Sequence, residues 1–354
     1  MSPKTLMVMA GGTGGHVYPA IAVADYLKLK GWNIVWLATE LGMENRLIEG
    51  KGYQKAMMTM QGVRGKGLWG WVLLPIKLAK ALTQSFNAMQ KYQPNVVLGM
   101  GGFAAFPGGL MAKILSKPLV IHEQNSVAGL TNKLMAKIAT RLLAAFPDAL
   151  RNANVVGNPV RADITKVAMP VERFKEHQGA LRILVVGGSL GAQALNDLIP
   201  EALAAMPLES RPLVVHQAGV KHIDVLKSNY AKHAVEAECL AFIENMADMY
   251  AWADFVICRA GAMTVAELSA VGLGSLLVPF PFAVDDHQTT NAAYLAAHDA
   301  AFLVQQKELT KEKLVGILRS LTRSSCLKMA EIARTLGKPE ATLDVARVCM
   351  EVAR

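Results

Sequence analysis

The sequence predicts an α/β protein of two doubly wound domains facing a central cleft, and two observations carry that expectation. A strand, a glycine-rich turn and a helix start occur twice, about half the chain apart: TLMVMA runs into GGTGGHVYPA at Gly11 to Ala20, and RILVV into GGSLGAQALN at Gly187 to Asn196. At 354 residues, the chain is also long enough to give each copy a domain of ordinary size. In each copy a short apolar run reads as a buried strand, and the glycines let the backbone turn directly into a helix. Such a turn presents free N–H groups and the positive end of a helix dipole, which together favour phosphate. Two of them suggest two ligand-facing sheets.

The elements follow from periodicity and punctuation. Apolar runs at Leu6 to Ala10, Ile34 to Ala38, Val96 to Met100, Leu119 to Ile121 and Leu142 to Ala145 alternate with helical stretches, as βαβ units require. The helix after the first loop is expected to start around Tyr18-Pro19, because proline is tolerated in a first turn, and to stop at Gly31. In the second half, Ile183 to Val186, Leu213 to His216, Phe255 to Cys258 and Ser275 to Val278 repeat the pattern. Between the halves, VVGNPVR leads into the polar stretch Pro170 to Gly179, which reads as hinge and linker. The expected domains are 1–157 and 158–337, followed after Gly337-Lys338-Pro339 by a terminal helix, 338–354, packing back on the N-terminal domain.

A 52% apolar content with 18% charged residues excludes a disordered chain. The longest uncharged stretch, Tyr92 to Ala112, contains five glycines and two prolines, so it reads as a strand plus a glycine loop rather than a membrane span. A single lysine and a short apolar run before Gly11 fall short of a signal-peptide core, which predicts a cytoplasmic chain. Cys239, Cys258, Cys326 and Cys349 lie far apart without a C-x-x-C pair and read as reduced, mostly buried thiols.

Net charge is +9, and its distribution says more than its sum. From Gly50 to His122 there is no Asp or Glu, while Lys51, Lys55, Arg64, Lys66, Lys77, Lys80, Lys91, Lys113 and Lys117 supply nine positive charges. All of the net charge therefore sits in one fifth of the chain. Within it, Trp69, Trp71, Leu73 and Leu74 are bracketed by Arg64, Lys66, Lys77 and Lys80, a composition that suits the headgroup zone of an anionic membrane. A core helix with a solvated basic edge is the plainer alternative; two tryptophans in a glycine-containing loop tilt the balance to the membrane. Nucleic acid is disfavoured, since the aromatics cluster with aliphatics instead of interleaving with the basic residues.

A dinucleotide fingerprint G-x-G-x-x-G is incomplete in both loops, so a nicotinamide oxidoreductase stays open as an alternative but is not favoured. In the first the third glycine falls on Val17; in the second, Ser189 and Ala192 stand where glycines are required. Directly after the first glycines stands His16, an imidazole with no use in a dehydrogenase loop but suited to general base catalysis near neutral pH.

GGTGGHVYPA, GMGGFAAFPG at Gly99 to Gly108, HEQN at His122 to Asn125, GNPVR, GGSLGAQALN, CRAGAMTVAE at Cys258 to Glu267 and DHQTTNA at Asp286 to Ala292 together resemble the motifs of the MurG family, in order and over nearly the whole chain. These are the undecaprenyldiphospho-muramoylpentapeptide β-N-acetylglucosaminyltransferases of bacterial peptidoglycan synthesis. The resemblance implies a GT-B fold of two Rossmann-like domains. It also implies an inverting transfer of GlcNAc from UDP-GlcNAc to the muramoyl 4-hydroxyl of lipid I, giving lipid II, without metal or cofactor. The enzyme would sit peripherally on the cytoplasmic face of the cell membrane; docking of cell-wall or division proteins is left open.

Carried onto matching positions, the family's donor site comprises Thr13, Gly14, Gly15, Asn125, Arg161, Ser189, Ile243, Ala262, Met263, Thr264, Val265, Ala266, Glu267 and Gln288. Uracil would lie near Ile243, the ribose hydroxyls on Glu267, the diphosphate near Ser189, and the sugar near Asn125 and Gln288. The residue types agree with that chemistry. Breaking a sugar–phosphate bond loads negative charge on the leaving diphosphate, which without a metal must be met by backbone N–H groups, a hydroxyl and a cation such as Arg161. Ser189 is equally suited to be a helix N-cap, and Glu267 to complement a helix dipole. His16 is the expected catalytic base; its alternative role is to hydrogen-bond the acceptor diphosphate or fix the loop. Asp285 and Asp286 read as solvated, and His122, His216 and His298 as structural.

Overall fold

The computed structural model describes residues 3–59, 74–188 and 191–354. The expected membrane contacts Trp69, Trp71 and Leu73 and the expected diphosphate contact Ser189 lie outside the described residues. The chain divides into two compact units, Met1–Arg161 together with Pro339–Arg354, and Ala162–Lys338.

The first unit is a seven-stranded, wholly parallel sheet in the order β3-β2-β1-β4-β5-β6-β7. Its strands are β1 Thr5–Ala10, β2 Asn33–Thr39, β3 Gln54–Met58, β4 Val96–Gly101, β5 Leu119–Glu123, β6 Arg141–Ala144 and β7 Asn154–Val155. Side chains alternate across β1, so Leu6, Val8 and Ala10 join one core layer while Met7 and Met9 join the other. Helix Gly14–Leu29 covers the first face with Val17, Ala20, Ile21, Val23, Ala24 and Leu27, and helix Ala341–Val352 adds Val345, Ala346 and Cys349 to the same layer. Helix Leu74–Tyr92 covers the second face with Ala81, Ala88 and Met89. Strand order reverses between β1 and β4. The loops leaving those two strands meet at that switch point, the place where ligands bind in doubly wound sheets.

The second unit repeats the plan with six parallel strands in the order β10-β9-β8-β11-β12-β13. These are β8 Arg182–Val186, β9 Leu213–Gln217, β10 Glu238–Leu240, β11 Phe255–Cys258, β12 Gly274–Leu277 and β13 Ala301–Leu303. Its switch point lies between β8 and β11, directly above the second glycine loop.

Two local expectations are corrected. The first helix begins at Gly14, not near Pro19: Thr13 is its N-cap, with extended backbone (φ −138°, ψ 157°) and a carbonyl that accepts from the N–H groups of His16 (3.1 Å) and Val17 (3.2 Å). Pro19 sits inside the helix and forgoes one main-chain bond. The stretch Pro170 to Gly179 is not a free linker either. It carries helix Pro170–Lys175, whose buried Phe174 joins the second unit's core and whose Arg173 guanidinium donates to the carbonyls of Val271 (3.1 Å) and Gly272 (2.7 Å). A guanidinium with that many carbonyls to satisfy is anchored, which no polarity count reveals. The edge strands β3, β7, β10 and β13 also escape the sequence pattern, because strands open to solvent on one edge need no continuous apolar run.

Among the described residues, no helix is long and apolar enough to cross a membrane. All four cysteines are free, and Cys258, Cys326 and Cys349 are buried.

Candidate functional site

In the first unit the site is built where two glycine turns touch. Gly12 (φ +88°) turns β1 into the helix that carries His16, and Gly101 and Gly102 (φ +99° and +86°) leave β4 beside it. A Cβ on Gly102 would lie 2.3 Å from the Gly11 carbonyl oxygen, and one on Gly101 would lie 2.9 Å from the His16 ring. On the far side of Gly11 is Glu44, fully buried, whose Oε1 accepts from the Thr39 N–H and hydroxyl, each at 2.8 Å. A Cβ on Gly11 would come within 3.1 Å of that carboxylate. The loop is thus confined on both sides, and the free N–H groups of the helix start stay available to an anion.

His16 Nδ1 lies 2.7 Å from Gln124 Oε1. Gln124 Nε2 donates to the His122 carbonyl (2.9 Å) and faces His122 Nδ1 at 3.0 Å, and His122 Nε2 lies 2.8 Å from the Gly157 carbonyl. The neighbouring Glu123 points the other way: its Oε1 accepts from the Asn125 N–H (2.9 Å), and its Oε2 from the Gly129 N–H (3.1 Å) and Asn132 Nδ2 (2.8 Å). That carboxylate sets the turn on which half-buried Asn125 stands. Arg161, also half-buried, ends the unit.

In the second unit, Gly188 (φ +82°) and Gly191 (φ +78°) turn β8 towards helix Gln193–Ala204. The Gln217 amide, from the end of β9, clamps this loop in both directions: Oε1 accepts from the Gly188 N–H and Nε2 donates to the Gly188 carbonyl, both at 3.1 Å. Behind it, His216 bridges Asn196 Oδ1 (3.1 Å) and the Tyr230 hydroxyl (3.0 Å), while Asn196 Nδ2 donates to the Ala218 carbonyl (3.3 Å).

Helix Ala262–Val271 follows β11 through Gly261 and carries the expected run Ala262, Met263, Thr264, Val265, Ala266 and Glu267 in its first two turns. Glu267 Oε2 accepts from the Tyr250 hydroxyl at 2.9 Å, which orients the half-buried carboxylate. Buried Asn291 braces the preceding turn by donating to the Ala260 carbonyl (3.2 Å). Gln288 Oε1 accepts from the Phe280 N–H (2.9 Å), which ties helix His287–Ala296 to the loop before it. Ile243 is buried in the turn after β10. Arg259 is spent on structure, donating to the Val278 and Pro279 carbonyls (3.2 Å each) and to Gln306 Oε1 (2.6 Å). Asp285 and Asp286 are exposed, and among the described residues no cluster of three His, Cys, Asp or Glu side chains suits a metal ion.

Burial pushes His122 down to about 4 and His216 to about 3 from an ordinary 6.5, so both are neutral at physiological pH. A histidine held below its unfolded pKa leaves the unfolded chain binding the extra proton, so its stabilisation is complete above about pH 6.5 and is lost as pH falls towards the folded value. Thermal stability is therefore expected to drop between about pH 6.5 and 4. A His216→Gln variant should melt lower at pH 8 yet lose less on acidification over that window; parallel Tm–pH curves would contradict the assignment.

Gathered by unit, Thr13, Gly14, Gly15 and His16 share one helix start, while Ala262 to Glu267 share another. Gln124, Gln217, Glu44, Tyr250 and Asn291 escaped the sequence reading. For the two glutamines a signal existed: each stands at a strand end, after a histidine that closes an apolar run, in LVIHEQ and LVVHQ.

Residues 6–144 match the glycosyltransferase family 28 N-terminal domain, and residues 182–344 match the C-terminal domain of that family. A protein of Azoarcus sp. (strain BH72) is 57% identical over 350 residues, covering 99% of this chain and 98% of that one. One of Dechloromonas aromatica (strain RCB) is 52% identical over 351 residues, covering 99% of each. Both are named UDP-N-acetylglucosamine--N-acetylmuramyl-(pentapeptide) pyrophosphoryl-undecaprenol N-acetylglucosamine transferase. The crystal structure of Acinetobacter baumannii MurG superimposes with a TM-score of 0.88 at 39% identity, covering 99% of this chain and all of that one. With two parallel α/β units of this topology, both family 28 domains in order and full-length relatives above half identity, the chain belongs to the MurG family of glycosyltransferases.

Proposed function

We infer that the protein transfers GlcNAc from UDP-GlcNAc to the muramoyl 4-hydroxyl of lipid I, releasing UDP and lipid II. The observation that carries this reading is the pair of unlike glycine turns. One bears an imidazole one turn into its helix, and the other bears none and is clamped by an amide. The second turn, with Ser189, receives the donor diphosphate; Glu267 takes the ribose hydroxyls and Ile243 lies against uracil. Thr13, Gly14, Gly15, Asn125, Arg161 and Gln288 complete the donor contacts, and the first turn meets the acceptor.

The chemistry is a single displacement with inversion. His16 takes the proton of the 4-hydroxyl, that oxygen bonds to C1 of the sugar, and the C1–O bond breaks with its electron pair leaving on the diphosphate of UDP. Backbone N–H groups, the Ser189 hydroxyl and Arg161 meet the leaving charge, so no metal is required. Labelled UDP-GlcNAc should be transferred only when lipid I is present, unchanged by EDTA, with UDP-GalNAc a much poorer donor. Transfer without the lipid-linked acceptor, or loss in EDTA reversed by a divalent cation, would overturn the reading.

The enzyme works peripherally on the cytoplasmic face of an anionic membrane, entering it through Trp69, Trp71, Leu73 and Leu74. Supporting this, helix Leu74–Tyr92 buries Ala81, Ser85, Ala88 and Met89 but leaves Ile76 exposed next to Lys77. Replacing Trp69 and Trp71 with serine is expected to weaken binding to anionic vesicles several-fold while sparing UDP-GlcNAc affinity; unchanged vesicle binding would reject the patch.

A further inference from the structure

The contacts behind His16 end on an atom whose role cannot be exchanged. A carbonyl only accepts, and the Gln124 amide lies 2.9 Å from the His122 carbonyl, so the atom facing it is the NH2 group; turning the amide over would set two acceptors against each other. The amide oxygen therefore faces His16 Nδ1 at 2.7 Å, and Nδ1 must carry the proton of that contact. In a neutral imidazole this leaves the lone pair on Nε2.

We propose that Gln124 is a positioning residue for the reaction: its amide, oriented by His122, holds His16 in the Nδ1–H tautomer so that Nε2 is the nitrogen that accepts the proton from the acceptor hydroxyl. The proposal rests on the reading of His16 as the base.

Several features fit the assignment. His122 is fully buried, and in its neutral form Nδ1 accepts from Gln124 while Nε2–H donates to Gly157, so both ring nitrogens are used and the ring cannot turn over without losing both bonds. The Gln124 carbonyl accepts from Asn158 Nδ2 at 2.9 Å, which fixes the backbone beneath the amide. Gly101 presses on the ring of His16 and admits no Cβ.

The titratable side chains on the surrounding elements are Tyr18, Asp25, Tyr26 and Lys28 on the same helix, Glu44 and Arg46 after β2, His122 and Glu123 on β5, and Asp344, Arg347, Cys349 and Glu351 on the terminal helix; the loop Gly101-Gly102-Phe103 contributes none. Glu44 Oε1 is taken by Thr39, and both Glu123 oxygens are taken by Asn125, Gly129 and Asn132. Among the described residues, the partner of His16 Nδ1 is the Gln124 amide oxygen rather than a carboxylate. A neutral amide sets the tautomer and aims the ring without bringing a charge to it.

The direct test is 15N NMR of the histidine-labelled enzyme above pH 8, with the His16 signals identified by their loss in His16→Ala. Wild type should show Nδ1 protonated, and Gln124→Leu should move the population to Nε2–H. Kinetically, Gln124→Leu should lower kcat by about tenfold to a hundredfold with little change in either KM, and add no further loss to His16→Ala. Gln124→Glu keeps the acceptor oxygen towards His16 but loses the donor to the His122 carbonyl, so its turnover should lie between wild type and Gln124→Leu, and the added charge should move the acid limb of kcat against pH upward by about one unit.

An Nε2–H tautomer in wild type would overturn the proposal, as would equal losses from Gln124→Leu with and without His16, or an unmoved acid limb in Gln124→Glu. If His16→Ala itself turns over normally, the base assignment fails. If His16→Ala fails and Gln124→Leu does not, the positioning role alone fails.

Discussion

His16→Ala is expected to lower kcat by about a hundredfold to ten-thousandfold at saturating substrates, the range over which a positioned base contributes to a proton transfer. UDP-GlcNAc affinity should hold within about threefold, because uracil, ribose and diphosphate are assigned to the second unit and His16 belongs to the first. The split between kcat and KM decides between the two roles open to this imidazole. A group that only donates to the acceptor diphosphate contributes to binding, and its removal raises the acceptor KM while leaving kcat largely intact. A base acts on the proton in flight, and its removal lowers kcat and kcat/KM together. Near-normal turnover in His16→Ala would end the base assignment. A loss confined to the acceptor KM would transfer His16 to the binding surface.

What the sequence made legible follows from which constraints leave a residue type behind. A turn that brings two backbones within van der Waals contact leaves glycine behind, so both loops could be read from GGTGG and GGSLG, and a glycine loop after a strand from GMGG. Central strands leave apolar runs, so β1, β2, β4, β5, β6, β8, β9, β11 and β12 were visible. The edge strands leave neither, and QKAMM of β3 carries its pairing in the main chain.

Anchoring by carbonyls is equally silent. Arg173 looks like a solvated residue in a polar stretch until the ends of helix Ala262–Val271 and its glycine cap are placed against it. Gln124 and Gln217 were hidden for a related reason: an amide works by the direction it points, and direction exists only once strands are in register. His16 was visible because an imidazole after a glycine turn has few structural uses. The partner that fixes which of its nitrogens is free lies 108 positions away.

Gly102→Ala should be nearly as damaging as removing His16, though Gly102 touches no substrate in the proposed reaction. The residue has φ +86°, where an L side chain is strained, and its added Cβ would sit 2.3 Å from the Gly11 oxygen and 2.8 Å from the Gly11 carbonyl carbon. Neither obstacle is a side chain that can rotate away. On its other side Gly11 faces the buried Glu44 carboxylate, which lies 3.1 Å from where a Cβ of Gly11 would stand and limits its retreat.

The strain must therefore pass along the loop to the helix start, where the His16–Gln124 bond of 2.7 Å leaves little tolerance. A misplacement of about 1 Å at a reacting group costs on the order of a hundredfold in rate, so turnover should fall by about that factor. Unfolding free energy should fall by about 2–4 kcal/mol from backbone strain and overpacking combined.

Gly31→Ala supplies the control. It shares the backbone problem, at φ +83°, but has nothing within 4 Å of its would-be Cβ. It should cost about 1 kcal/mol and leave kcat unchanged. UDP binding, read separately by calorimetry, should be the same in all three proteins, since the second loop keeps its Gln217 clamp. Equal kinetic losses in the two glycine variants would mean that φ alone matters at these positions. A loss in Gly102→Ala alone would show that the close approach of the two turns is what holds the imidazole in place.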